Sequence, residues 1–213
     1  CMRGPCRTRM DLHLLRLALS HFIGQELTPA VAAQIEFIAM GGEDKSLDPA
    51  RFGTANHDGY LLQVERLSDV QVEVHPLHVM HWSETEGHRH DIGLNLDYRS
   101  MLYRERNGTM LQITIRRNGD LVGHLRGYLA ISTHTSTLLV EEDTLFIHPN
   151  HRGGGLAKAL VRYAEHCFFG VLGAHEIRVD TKLIKSKVNA LLQAEGYGPV
   201  STKFIKLRPS IQE

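Results

Sequence analysis

The chain has 213 residues with 24 Lys+Arg against 24 Asp+Glu, so no bulk field draws it to nucleic acid or an anionic membrane. Hydrophobic residues at 42% and charged residues at 23% fit an ordinary globular protein. No run approaches the ~18 consecutive apolar residues of a membrane span. Cys1, Cys6 and Cys167 have neither metal-ligand nor disulfide spacing and indicate a reducing compartment, read here as cytoplasmic.

In chain order, basic residues Met2 to Arg9 precede Leu12 to Gly24, but His13, Arg16 and His21 interrupt the apolar run and no small-residue cleavage site follows. A signal peptide is therefore not expected. Met10 to Gly24 instead has helical spacing at Leu12, Leu15, Leu19 and Phe22. Thr28-Pro29 supplies an N-cap and an N1 proline for a second helix, Ala30 to Met40, ending at Gly41-Gly42. The polar stretch through Asp58 is the expected boundary between an N-terminal helical extension, residues 1–57, and a main domain, residues 58–213.

Tyr60 to Leu67 reads as a strand, Val72 to Thr85 as a helix entered near Pro76, and Asn95 to Arg106 as a helix stopped by Asn107-Gly108. Met110 to Arg116 alternates as a strand, and Asn118-Gly119 predicts a type I′ hairpin returning through Leu121 to Ile131. Leu138 to Ile147 is a fourth strand. A helix to about Gly170, a strand Glu176 to Asp180, a helix Ser186 to Glu195 and a final strand Val200 to Leu207 complete the order β-α-α-β-β-β-α-β-α-β.

The most informative segment joins the fourth of these strands to its helix. His148-Pro149-Asn150-His151 leads into Arg152-Gly153-Gly154-Gly155-Leu156-Ala157-Lys158. Glycines between a strand and a helix let backbone N–H groups converge on an anion at the positive end of the helix dipole.

The element order together with Ile147-x-Pro149 and Arg152-x-x-Gly155-x-Ala157 resembles the GNAT-type N-acetyltransferases, from about Tyr60 to the C-terminus. The runs Glu142 to Pro149 and His81-Trp82-Ser83-Glu84 look most like members encoded by bacteriophages and prophages, which would place the protein in the host cytoplasm. The resemblance implies an α+β (α/β) fold with a mixed central sheet whose central strands splay apart between flanking helices. It also implies acetyl-CoA as co-substrate. The amides of Gly153, Gly154, Gly155, Leu156, Ala157 and Lys158, beside Arg152, would hold the pyrophosphate, and the backbone of Leu145, Phe146 and Ile147 would pair with the pantetheine. Asn189 would join them from the last helix.

Acetyl transfer needs a base for the amine proton. The family places a carboxylate nine and eleven residues before the motif arginine, which makes Asp143 and Glu141 the candidates; Glu142, between them, would point the other way. Many members carry a tyrosine four residues before the glycine that ends the last helix. Leu192 stands there, so the general acid is open, with Tyr128 and His134 as substitutes.

His75, His78, His81, Glu84 and His88 share one helical face, read as polar and facing substrate or solvent, with no metal site expected. The expected function is direct acetyl transfer from acetyl-CoA to an amine acceptor, a small molecule or a protein. The alternative is a phage-encoded binding or assembly module that holds CoA with little turnover. No nucleic-acid or membrane partner is expected, and the exposed strand edges with the N-terminal helices allow a homodimer.

Overall fold

In the computed structural model the described residues are 44–89, 92–181 and 187–200, with positions 15–16, 19–20, 22–28, 31–32 and 35 ahead of them. Leu15, Arg16, Leu19, Ser20, Val31, Ala32 and Ile35 are helical, and the Thr28 hydroxyl accepts from Val31 N–H at 3.2 Å as an N-cap should. The expected final strand lies outside the described residues beyond Val200.

One six-stranded mixed sheet organises the rest, its strands in spatial order β1 to β6. They are β1 (Thr54–His57), β2 (Tyr60–Val64), β3 (Met110–Arg117), β4 (Asp120–Ile131), β5 (Leu138–Ile147) and β6 (Glu176–Arg178). Neighbours are antiparallel except β5 and β6, which run parallel. Helices α1 (Leu67–Thr85) and α2 (Tyr98–Arg106) precede β3, α3 (Leu156–Glu165) follows β5, and α4 (Lys187–Ala194) follows β6.

The β3–β4 hairpin turns at Asn118-Gly119 with φ of 52° and 93°, both positive as a type I′ turn requires. A second such turn, Asp58-Gly59 with φ of 47° and 79°, joins β1 to β2. The sheet therefore begins at Thr54, ahead of the 57/58 boundary that the polar composition suggested. Phe52 already lies in the core, and Lys45 N–H bonds to the Arg106 carbonyl at 2.7 Å.

Helix α1 starts at Leu67, five residues earlier than the proline suggested, and Pro76 lies inside it. The early start has a specific cause. The Glu105 carboxylate of α2 accepts from Leu67 N–H and, at 3.1 Å, from Ser68 N–H, so a remote side chain caps the helix. Leu67, Val70, Val74 and Leu77 then follow helical spacing into the interior, while Pro76 sits on the exposed side.

Two apolar layers flank the sheet. Ile113, Ile115, Leu125, Val140 and Ile147 pack with Leu156, Leu160 and Phe168 on the α3 side. Leu67, Val74, Tyr98, Leu102 and Met110 form the layer under α1 and α2.

Between β4 and β5 the register shifts by one: Arg126 pairs with Thr144 but Gly127 pairs with Glu142, so Asp143 is the extra residue of a β-bulge. Gly127 is required beneath it. A Cβ there would stand 2.7 Å from Phe168 Cζ and 2.8 Å from Val140 Cγ1, both in the core. Gly127→Ala should cost about 1–3 kcal/mol through overpacking, read as a lower midpoint of thermal unfolding.

Candidate active site

Strands β5 and β6 pair only at Leu139–Glu176, Val140–Ile177 and Glu141–Arg178. Beyond Glu141, β5 keeps β4 on one side as far as Ile147 and, among the described residues, has no strand partner on the other. The two parallel strands thus form a fork that opens toward the C-terminal end of β5, where the glycine loop begins. Backbone groups of residues 142–147 line one prong.

Gly153, Gly154 and Gly155 all have positive φ (114°, 55° and 78°), and Gly155 is the N-cap of α3. A Cβ on Gly153 or Gly154 would meet nothing within 4 Å, so the loop's inner side is open. The helical ladder starts with Leu156 N–H on the Gly153 carbonyl and Ala159 N–H on that of Gly155. Leu156 N–H is thereby taken, which leaves the N–H groups of Ala157 and Lys158 as the first-turn donors without an acceptor in the helix, at its positive end.

The loop is braced by an element that composition had assigned elsewhere. His57 of β1 donates from Nε2 to the Gly154 carbonyl at 2.7 Å, and Tyr60 bonds His151 at 3.2 Å. Arg152 donates from Nε to the Ile147 carbonyl at 2.8 Å, lies 5.1 Å above the Phe146 ring and grips Glu84 of α1 through Nη2 at 2.9 and 3.0 Å. Lys158 is paired with Glu195 at 2.9 Å. Phe146 and Ile147 are buried and Leu145 packs against the core, so only their backbone is at the fork's edge. Asn189 of α4 lines the same cavity as Asp180 and Thr181, and Leu192 is buried with no proton to give.

The three carboxylates at the bulge differ sharply. Glu141 is exposed and lies 3.6 Å from Arg178. Asp143 is taken by Arg126, whose Nε and Nη2 donate to Oδ2 at 2.9 and 2.7 Å, and Thr144 Oγ1 adds a third bond at 3.1 Å. Glu142 is partly buried and bonds to backbone at Asp180, across the fork. Desolvation, with Asp143 and Asp180 adding repulsion, pushes its carboxyl up to about 8. Sequence alternation singled out the carboxylates on either side of it.

Of the histidine stripe, His78 and His81 face the sheet, whereas His75 is exposed. His78 is buried 4.8 Å from the His124 ring, and His81 lies 5.5 Å from Phe146. Because a guanidinium only donates, Arg126 Nη1 donates a hydrogen bond to His78 Nε2 at 3.3 Å. His78 Nδ1–H then donates to the Tyr98 hydroxyl, and Tyr98 donates to His75 Nδ1, each at 3.0 Å. Burial, with Arg126 nearby, holds His78 down to about 3, and burial pushes Tyr98 up to about 12. Tyr128, across from Glu141 and bonded to Arg126, is also raised by desolvation. These contacts were not foreseeable from spacing. An isolated Arg126-Gly127 within apolar β4 was the available sign of a bulge.

A mixed sheet forked between parallel strands, with a glycine loop opening a helix at the mouth of the fork, defines the acetyltransferase class of fold. The chain belongs to the acetyltransferase (GNAT) family, whose sequence pattern matches residues 74–193. Solved structures share the architecture at low identity. A ribosomal-protein-alanine N-acetyltransferase from Brucella melitensis biovar Abortus 2308 is 16% identical with a TM-score of 0.55, covering 70% of this chain and 99% of its own. An aminoglycoside acetyltransferase from an uncultured soil metagenomic sample is 14% identical, TM-score 0.55, covering 71% and 99%. A predicted acetyltransferase with acetyl-CoA from Clostridium acetobutylicum is 13% identical, TM-score 0.52, covering 70% and 96%. No curated protein matches the sequence. Among the described residues, no helix is long and apolar enough to cross a membrane.

Proposed function

We propose that the protein is an acetyl-CoA-dependent N-acetyltransferase working by direct transfer. The observation that carries this is the alignment of an open glycine loop with the unpaired edge of β5. Two phosphates of acetyl-CoA accept from loop N–H groups at the start of α3, and the pantetheine amides extend the sheet along residues 145–147. The thioester then lies near the bulge, where a backbone N–H of β5 near Phe146 stabilises the tetrahedral oxyanion.

Glu142 suits the proton chemistry better than its neighbours. Asp143 has its charge committed to Arg126 and Glu141 stands in solvent, whereas a carboxyl poised near 8 is matched to an amine and to a thiol. Glu142 accepts the amine proton directly or through water. As the intermediate collapses and the C–S bond breaks, the same carboxyl can return the proton to the CoA thiolate. That route needs no tyrosine at Leu192.

Named activities of the neighbours suggest two acceptor classes, aminoglycosides and an alanine of a ribosomal protein. The likeness to phage and prophage members, a host-cytoplasmic location and a homodimer stand as further parts of this reading. A screen of amines, peptides and polyamines for release of free CoA thiol tests it. Glu142→Gln should lower kcat/KM about 100-fold and remove the limb that rises toward pH 8. Acetyl-CoA binding with no thiol release from any acceptor would favour the binding-module alternative, for which the buried Leu192 speaks.

A further inference from the structure

Asp143 exists as an extra residue only because β5 carries one more residue than β4 at this point, and Arg126 is the last residue of β4 before the register slips. The guanidinium is 2% exposed, and its three donor positions face Asp143 and His78. A charge that deep holds its place only if its partners hold theirs. Behind it the chain His78–Tyr98–His75 runs in one donor direction and ties the group to α1 and α2. On the opposite face Gly127 and Phe168 close the bulge from below. Glu142, which pairs with the side-chain-free Gly127, is thereby directed across the fork toward Asp180.

We infer that Arg126 is a positioning residue: by clamping Asp143 it fixes the bulge and so aims the Glu142 carboxylate into the fork. This rests on Glu142 being the acid–base group. The charged groups around Glu142 are Asp143 beside it on β5, Arg126 on β4 and Asp180 after β6. The sign of one measurement separates positioning from charge alone. Loss of a nearby positive charge would by Coulomb's law raise the midpoint of a carboxyl, whereas release of the bulge lets the carboxyl reach water and lowers it.

The test is a carbon-13 NMR titration of side-chain-labelled glutamate in the full chain, with Glu142→Gln assigning the resonance. In Arg126→Gln the Glu142 midpoint should fall by about one pH unit or more, with acetyl-CoA affinity within about twofold of wild type because the loop is untouched. Arg126→Lys keeps the charge but cannot span both Asp143 and His78, and it should show a smaller fall. It also serves if Arg126→Gln does not fold. A midpoint that stays or rises in the folded variants overturns the inference. The base reading fails separately: thiol release whose pH profile is the same in Glu142→Gln sinks it, whatever the midpoints do.

Discussion

Gly154→Glu should weaken acetyl-CoA binding about a thousandfold, as read by calorimetry, with the protein still folded. The magnitude follows from the loop. Several N–H groups on phosphate oxygens each contribute about 1.5–3 kcal/mol, and losing two of them amounts to roughly the 4 kcal/mol of a thousandfold change. A glutamate side chain there both occupies the cradle and brings a like charge to the phosphates. Gly154 is the right position because its φ of 55° lies where other residues can go at a cost of about 1–2 kcal/mol, and its Cβ would meet nothing. Gly153, at φ 114°, would strain the backbone and confuse the result. Gly154→Ala should lose much less affinity, since it adds bulk without charge. Affinity within threefold of wild type in Gly154→Glu would mean that the phosphates lie elsewhere.

The second large effect is on stability against pH. His124 is fully buried and has no hydrogen-bond partner on either ring nitrogen among the described residues, and burial, then His78 and Arg126, hold it well below its usual 6.5. His78 titrates near 3 in the fold. Both are neutral when folded and protonate when unfolded once the pH drops below 6.5. Unfolding therefore takes up protons, and stability falls with falling pH by about 1.4 kcal/mol per pH unit for each histidine, down to about pH 3 for His78. Glu142 has the opposite sign. It is protonated in the fold up to about 8 but ionised above 4.5 when unfolded, so it costs stability as pH rises across that window. Glu105, raised by desolvation, acts the same way as Glu142. The opposing slopes put the maximum near pH 6.5.

Replacing His124 isolates one limb. His124→Leu should gain about 1–3 kcal/mol at pH 7 by removing unpartnered polar atoms. At pH 5 the gain should be larger by about 2 kcal/mol, because one proton no longer drives unfolding. Urea unfolding at the two values reads both numbers. An equal gain at pH 7 and pH 5 would show that His124 is not held neutral by its surroundings.

How legible each feature was depended on the range of the interaction behind it. The Asn118-Gly119 turn, the strand Leu138 to Ile147 and the glycine loop follow from neighbours within a few residues, and each stands where local chemistry puts it. Strand β1 did not, because Thr-Ala-Asn-His is short, polar and half exposed; only the Asp58-Gly59 turn after it carried a sign. Pro76 suggested a helix start because its missing N–H is harmless there, but the Glu105 cap and the buried Leu67 and Val70 moved that start upstream. The histidine face was visible as a stripe, yet what it faces depends on β4.

By itself the amino-acid order determined the sheet-and-helix succession from β2 to α4, the glycine loop and the family, all of which rest on backbone preferences and short spacings. The tertiary structure decided the surroundings of each carboxylate. Strict alternation would set Glu141 and Asp143 apart from Glu142. The one-residue slip between β4 and β5, held by Arg126 from a strand 17 positions away, instead commits Asp143 to an ion pair and turns Glu142 toward the fork. Burial there raises its carboxyl, and burial is a property of the packed molecule that no stretch of sequence possesses alone.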